Sequence, residues 1–580
     1  MKIHRIIIFL TFTLAFLFAK CECTSLPFLN QKYIYWLIAV IGGTVLFLYK
    51  ESNTKLSLNI FDILMLILTC ITFWNLIFLS KAAVFNLKLW YFFGYLLVYV
   101  ILRRSLNTDE IIRKSQSFLH HFIAVTAIVN GSIAVLQENH LLLSKNEHFL
   151  STALFYSPNQ LGLFMALGCL SSIELIKKYK GYIKTLCILC FLISLYGLYL
   201  SKCRGACLGL GAALFYDFYK SKNSVRFIRW KIMVPLLLFL CGFFFLFFNT
   251  AALKSESTSG RVFITERVLE EVKDKLLTGH GFDSFALKYN TAKAQYFESE
   301  RSWQEIKNAS YIYNANNDFL ELTFEFGLIW IFVFTLIIFM LFYFSIQTSE
   351  IKSCTTMLLC LIIFAFTNSV LSVPLFIVLG CCFSVIIINT IKNKPIYIFN
   401  NYKFTQILNI TFAISFFAVL LFRINAEYKL LKLYEQKVSF TSFKTIENYI
   451  SKIDANGEQF FMAGVILLKN KHTKEGTFYL EKGFECSGKP SLGKILAGIY
   501  EKQNQFSNAE KIYIYNINAE PFRFEPRVDL FQLYVRTNQK KKAIETAKKI
   551  IDLPIKIPSD KIGTFKKEAR SYITKQQKAE

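Results

Sequence analysis

Charge is scarce in this chain. Of its 580 residues only 18% are Asp, Glu, Lys or Arg, while 54% are hydrophobic and 60 are Phe. With a mean hydropathy of +0.39, that balance excludes a soluble globule and makes the chain a polytopic membrane protein. Metal-ligand spacing is missing too. Most of the 14 Cys lie in apolar stretches, among them Cys70, Cys169, Cys187, Cys190, Cys241, Cys381 and Cys382, where the side chain acts as a small hydrophobe. No spacing resembles a zinc site, and Cys21 and Cys23 are too close in sequence for an ordinary bridge to each other. A paired inverted repeat and a mid-membrane ladder of charge, the marks of a transporter, are absent as well. The net charge of +26 would suggest nucleic acid in a soluble protein. Here cytoplasmic loops lying against anionic lipid account for much of it, and no nucleic-acid partner, metal or cofactor is expected.

What is abundant is apolar sequence. Stretches of about 17 to 25 residues recur at 5–19, 33–49, 57–80, 83–102, 117–137, 160–176, 183–200, 203–219, 232–252, 319–346, 354–371, 373–391 and 404–422. The expected fold class is therefore an all-α polytopic membrane protein of about 12–13 transmembrane helices, with one large polar loop and a C-terminal soluble helical-repeat domain. Its expected segments are 1–252 (membrane helices), 253–318 (large loop), 319–424 (membrane helices) and 425–580 (helical tail). Connections rich in Lys and Arg, such as those holding Arg103, Arg104, Arg113 and Lys114, or Lys177, Lys178, Lys180 and Lys184, alternate with connections poor in them. The positive-inside tendency then puts the N-terminus inside, and the 253–318 loop and the tail outside. Met1 to Ala19 has the basic start and apolar run of a secretory signal, but Leu17 sits where a cleavage site wants a small residue.

From about Ala426 the composition turns to Lys, Glu, Asn and Gln with periodic apolar positions. Leu496, Tyr500, Asn504 and Ala509 recur 34 residues on as Leu530, Tyr534, Asn538 and Ala543, the period of a tetratricopeptide helix-turn-helix unit. A less regular unit precedes them, from about Phe460 to Phe484. A generic helical bundle is the plainer reading; a repeat array would offer a protein-partner surface.

Three polar groups lie on the expected outer face. The turn Leu200-Ser201-Lys202-Cys203-Arg204-Gly205-Ala206 breaks the charge bias that the rest of the chain obeys. Either Lys202 and Arg204 snorkel to headgroups, or Gly205 and Ala206 let the next helix begin close to a bound group. Next comes Ser257-Thr258-Ser259-Gly260-Arg261, then an amphipathic run with Val262, Leu269, Val272 and Leu276 on one face and a stop at Gly279-His280-Gly281. A cation in the first helical turn opposes the helix dipole unless an anion sits there; an Arg pointing into water is the alternative. Third is Asn314 to Gly327, with Asp318, Glu321 and Glu325 spaced to share one helix face where the chain returns to the membrane. A solvated first turn would explain them equally.

In this order, around one large outer loop, these motifs resemble the O-antigen ligase and O-antigen polymerase superfamily of bacterial inner-membrane proteins. The matching residues are Ser201, Arg204 and Gly205, then Gly260 and Arg261, then Gly279 and Gly281, then Asn317, Leu320, Glu325 and Gly327. Ser157-Pro158-Asn159 looks like a further upstream motif, ending at Asn159. The tail resembles that of Bacteroidetes-type members. The resemblance implies an inverting, metal-independent transfer of glycan from a polyprenyl-pyrophosphate carrier to a lipid A-core or growing glycan acceptor, at the periplasmic face of the inner membrane. Guanidinium groups would meet the developing phosphate charge, which assigns Arg204 and Arg261 to the donor with Lys202 assisting. Many ligases carry His before the motif Asn, where this chain has Asn316. Asp318 is then the first candidate base, with Glu321 and His280 behind it. A lipid-linked glycan flippase and a membrane scaffold with a partner-binding tail are the competing classes.

Overall fold

The computed structural model describes residues 56–80, 87–144, 146, 148–220, 255–346, 348, 350–391, 396–399, 402–436, 442–453 and 457–578. They form an almost wholly helical chain. The first group is α1 (Ile60–Asn75, continued by a π-helical turn to Ser80), α2 (Leu87–Ser105), α3 (Asp109–Glu138), α4 (Pro158–Lys178), α5 (Gly181–Leu200) and α6 (Arg204–Tyr219). The polar loop holds α7 (Ser255–Val272), α8 (Phe285–Tyr296) and α9 (Trp303–Asn308). Apolar helices follow: α10 (Asp318–Ser345), α11 (Lys352–Ala365), α12 (Pro374–Thr390) and α13 (Tyr402–Tyr434). The tail comprises α14 (Phe443–Ile453), α15 (Gly457–Lys469), α16 (Thr473–Ser487), α17 (Pro490–Lys502), α18 (Phe506–Ala519), α19 (Glu525–Arg536), α20 (Lys540–Asp552) and α21 (Asp560–Gln577). One short antiparallel ladder pairs Leu56–Leu58 with Tyr397–Phe399, Leu56 opposite Phe399.

Among the described residues five helices are long and apolar enough to cross a membrane: Ile60–Ser80, Asp109–Glu138, Pro158–Lys178, Gly181–Leu200 and Asp318–Ser345. Lys352–Ala365 and Pro374–Thr390 are shorter apolar helices. The chain is thus a multi-pass, all-α membrane protein. The expected segments 5–19, 33–49 and 232–252, and the signal-like start, lie outside the described residues.

The chain divides into two compact units, the first made of residues up to 74, 87–253 and 316–420, the second of 75–86, 254–315 and 421–580. In the first, α4 is the most enclosed of the five long apolar helices, with Leu161, Leu163, Phe164, Met165 and Leu167 at 0% exposure. Polar side chains fix helix ends in this unit. Asp62 on α1 accepts from Arg103 (2.8 Å) and Tyr99 (2.8 Å) of α2, while Asp217 on α6 pairs with Lys177 of α4 and Lys352 of α11.

The second unit holds three helical hairpins, α15/α16, α17/α18 and α19/α20. Their turns repeat one backbone device: Lys471, Asn504 and Asn538 take φ of 66°, 59° and 56°. The next amide donates back across each turn, His472 to the Leu467 carbonyl, Gln505 to Tyr500 and Gln539 to Tyr534. The periodic positions Leu496, Tyr500, Ala509, Leu530, Tyr534 and Ala543 are all buried in one core. The polar loop belongs to this unit although more than a hundred residues separate it from the tail in sequence. The Tyr311 hydroxyl donates to the Ser487 carbonyl (2.8 Å), Lys556 to the Lys307 carbonyl (2.7 Å), and Trp303 packs against the hairpin core.

Candidate active site

In the membrane unit, α4 begins as its sequence suggests. The Ser157 side chain caps the amide of Asn159 (3.2 Å), and Pro158 occupies the first turn. One turn on, a Cβ at Gly162 would lie 2.6 Å from Cys203 Cβ and 2.7 Å from Ser201 Oγ, so α4 abuts the turn that precedes α6. That turn is tight. Ser201 is buried, its hydroxyl donating to the Leu198 carbonyl (2.6 Å) and accepting from the Cys203 amide (3.3 Å). Lys202 is exposed with φ of +50°, and Arg204, partly buried, opens α6.

Gly205 has a clear steric reason. A Cβ there would meet Thr367 Oγ1 at 2.3 Å and Asn368 Nδ2 at 2.8 Å, so the start of α6 lies against the connection between α11 and α12. The same connection is held from another side by Asp318, whose Oδ2 accepts the amides of Val370 (2.6 Å) and Leu371 (3.1 Å). Phe319 and Phe366 stack beside it, centroids 4.1 Å apart. The residues 366–371 carry no charge or recognisable motif, and sequence reasoning passed over them. They are nevertheless where Gly205 and Asp318 converge.

The motif residues around Asp318 now have local explanations. Asn317 is the helix cap of α10, its side chain accepting the Leu320 backbone amide at 3.1 Å, which accounts for Asn at this position. Asn316 adopts φ of +52°, a left-handed backbone in which Asn is enriched. Gly327 takes φ of 76° and ψ of −179° inside α10, a conformation that L side chains rarely adopt. The helix is thus broken there. Asp318, Glu321 and the buried Glu325 lie on a short limb ending at Phe326, and the remaining 18 residues, Leu328 to Ser345, are long enough by themselves for about 27 Å of bilayer. The three carboxylates therefore precede the apolar span instead of riding inside it.

The polar unit corrects two expectations. The helix carrying Arg261 begins at Ser255, so Arg261 is its seventh residue. It lies in the second turn, away from the free N-terminal amides, and Gly260 is a helical residue. The expected apolar face is enclosed only at Val272, which is buried with Phe263, Ile264 and Val268, whereas Val262, Leu269 and Leu276 are 52%, 51% and 44% exposed. Packing decided this, because Phe263 and Phe297 with Ala309 form a small core that turns Val262 and Leu269 outward.

Gly279 and Gly281 have φ of 73° and 111°, and the loop they form is clamped by Asn75. Its Nδ2 donates to the Thr278 carbonyl (3.1 Å), and its Oδ1 accepts the Phe282 amide (2.8 Å). Between the glycines, His280 Nε2 donates to the Glu271 carbonyl (2.9 Å), so the neutral ring carries its lone pair on Nδ1. Burial holds this imidazole below its ordinary pKa. Sequence reading missed Lys293 altogether. It is 1% exposed, and its ammonium donates to Asn290 Oδ1 (3.0 Å) and the Ser310 carbonyl (2.5 Å). Burial pushes it down to about 7, with the Glu520 charge opposing. Among the described residues no group of three or more His, Cys, Asp and Glu could hold a metal ion.

The cationic turn before α6, the glycine-clamped polar loop and the broken helix α10 follow one another in this order along a multi-pass helical chain. Residues 189–335, about a quarter of the chain, match the family described as O-Antigen ligase, and this domain supports kinship with the O-antigen ligase and polymerase superfamily. The match contains Arg204, Gly205, Arg261, His280, Asp318, Glu325 and Gly327, but leaves Asn159 outside. No curated protein matches the chain.

Proposed function

We propose that the protein is a membrane glycosyltransferase of the O-antigen ligase or polymerase type, moving a polyprenyl-pyrophosphate-linked glycan to a lipid or glycan acceptor at the periplasmic face of the bacterial inner membrane. The observation that carries this reading is the O-Antigen ligase match at 189–335, because it encloses both arginines and the whole carboxylate limb. In the reaction an acceptor hydroxyl oxygen attacks the anomeric carbon from the face opposite the carrier. The bond to the carrier oxygen breaks, the pyrophosphate leaves with the electron pair, and the hydroxyl proton passes to a base. Arg204 and Arg261, assisted by Lys202, bind the phosphate oxygens and offset their growing charge in place of a metal ion.

Asp318 is the preferred base. Its Oδ2 is committed to two amides, which fixes the carboxylate and gives the proton-accepting role to Oδ1. Glu321 on the same limb and His280 through Nδ1 are the further candidates. The 34-residue spacing and repeated turn geometry support a tetratricopeptide-like tail.

The test is the lipopolysaccharide and carrier-linked glycan profile of a deletion strain, restored with wild type or with Arg261→Ala. Polymer accumulating on the carrier with none on the lipid acceptor identifies a ligase. Transfer of a single repeat unit identifies a polymerase. An unchanged profile in the deletion strain refutes the assignment.

A further inference from the structure

At the neck of the tail, where α13 meets α14, a cleft of about 480 Å³ opens. Lys429 on α13 and Lys444 and Lys452 on α14 line it, with Asn425, Asn448 and the ring of Phe422. No carboxylate is among its lining residues. Its walls are fixed, because Ala426 and Leu430 on one helix and Ile446 and Ile450 on the other are buried in a common core. Three ammonium groups around one cleft repel one another, and Lys444 sits in the first turn of α14, a turn without an acidic residue although Glu447 follows in the next. There it faces the positive end of the helix dipole. Both costs fall when an anion with several acceptor oxygens enters, and the two amide side chains suit a phosphate's remaining oxygens.

The rim distinguishes a lipid from a free ion. Leu421 and Phe422 are 48% and 60% exposed, and they end the apolar segment 404–422 that the sequence assigns to the membrane. An apolar lip followed within two helical turns by a cationic floor matches a molecule with acyl chains on one side of its phosphate. We propose that this cleft binds the phosphate of an anionic membrane lipid, separately from any glycan donor.

The test titrates the full chain in detergent with phosphatidylglycerol and counts retained lipid by native mass spectrometry. The wild type is compared with Lys429→Gln/Lys444→Gln/Lys452→Gln and with a charge-matched control far along the tail, Lys540→Gln/Lys541→Gln/Lys548→Gln. At about fivefold per interfacial lysine, the neck variant should bind on the order of a hundredfold more weakly, while the distal variant keeps wild-type affinity. Equal weakening in both, or in neither, overturns the proposal. So does saturable binding of inorganic phosphate without preference for phosphatidylglycerol, which would make the site one for a soluble ion. All six lysines point outward or line the cleft, and matching thermal unfolding of the three proteins checks that the fold is unchanged.

Discussion

The membrane unit and the polar unit each bury an ionisable side chain, and each satisfies it in the same unusual way. Asp318 in the first accepts two backbone amides; Lys293 in the second donates to a backbone carbonyl and an amide oxygen. Neither relies on a salt bridge in direct contact, the common route for buried charge. The difference lies in what each holds. Asp318 fixes the connection against which the cationic turn of α6 rests, whereas Lys293 ties α8 to the strand of loop around Ser310. One anchor thus serves a membrane-side corner and the other serves the architecture of the large loop.

The two arginines proposed for the donor supply the largest expected effect. Arg204→Ala and Arg261→Ala should each lower glycan transfer roughly a hundred- to thousandfold at normal expression. Full loss from one and none from the other would show that a single unit handles the donor. Asp318→Ala leaves two amides without their acceptor and should cost about 2–3 kcal/mol of stability. Asp318→Asn keeps an acceptor oxygen, so it should preserve the fold while reducing turnover more than donor affinity. Equal loss of turnover and affinity would confine Asp318 to the anchoring role.

Lys293 gives a pH signature. Its folded value, about 7, lies below its ordinary value of 10.5, so between the two the unfolded chain holds the proton and the folded chain does not. Stability of the polar unit should therefore rise with pH across that window, by up to about 1.4 kcal/mol per unit. Thermal unfolding of Lys293→Met should lack the rise. Smallest of the set, Tyr311→Phe removes the bond to the Ser487 carbonyl and should cost about 1 kcal/mol, read as faster hydrogen exchange around α9. No change there would mean that apolar contacts such as that of Trp303 hold loop and tail together unaided.

Much of the architecture was legible because apolar run length and 34-residue spacing are local properties. Leu496 and Leu530, or Asn504 and Asn538, announce their roles by position alone. The motif residues were legible as positions, yet Asn317 as a cap and Gly327 as a break needed backbone angles. What stayed hidden depends on distant partners. The Tyr311 and Ser487 pair is 176 residues apart, and its acceptor is a carbonyl that every residue possesses. Lys293 reads as a solvated lysine because nothing nearby in sequence reveals that Asn290 and Ser310 will enclose it. The exposed Val262 and Leu269 misled for the opposite reason: their spacing is helical, but Phe263 won the competition for the interior.

The break at Gly327 also separates two kinds of inheritance. An unbroken helix transmits any insertion as a rotation of about 100° per added residue, so lengthening the limb that starts at Asp318 would swing every lipid-facing side chain down to Ser345 out of register. With the backbone interrupted, the short limb can gain or lose a residue and re-aim its carboxylates while the bilayer-facing limb keeps its orientation. Sequence change on the reactive side of that joint is thereby insulated from the requirements of living in lipid.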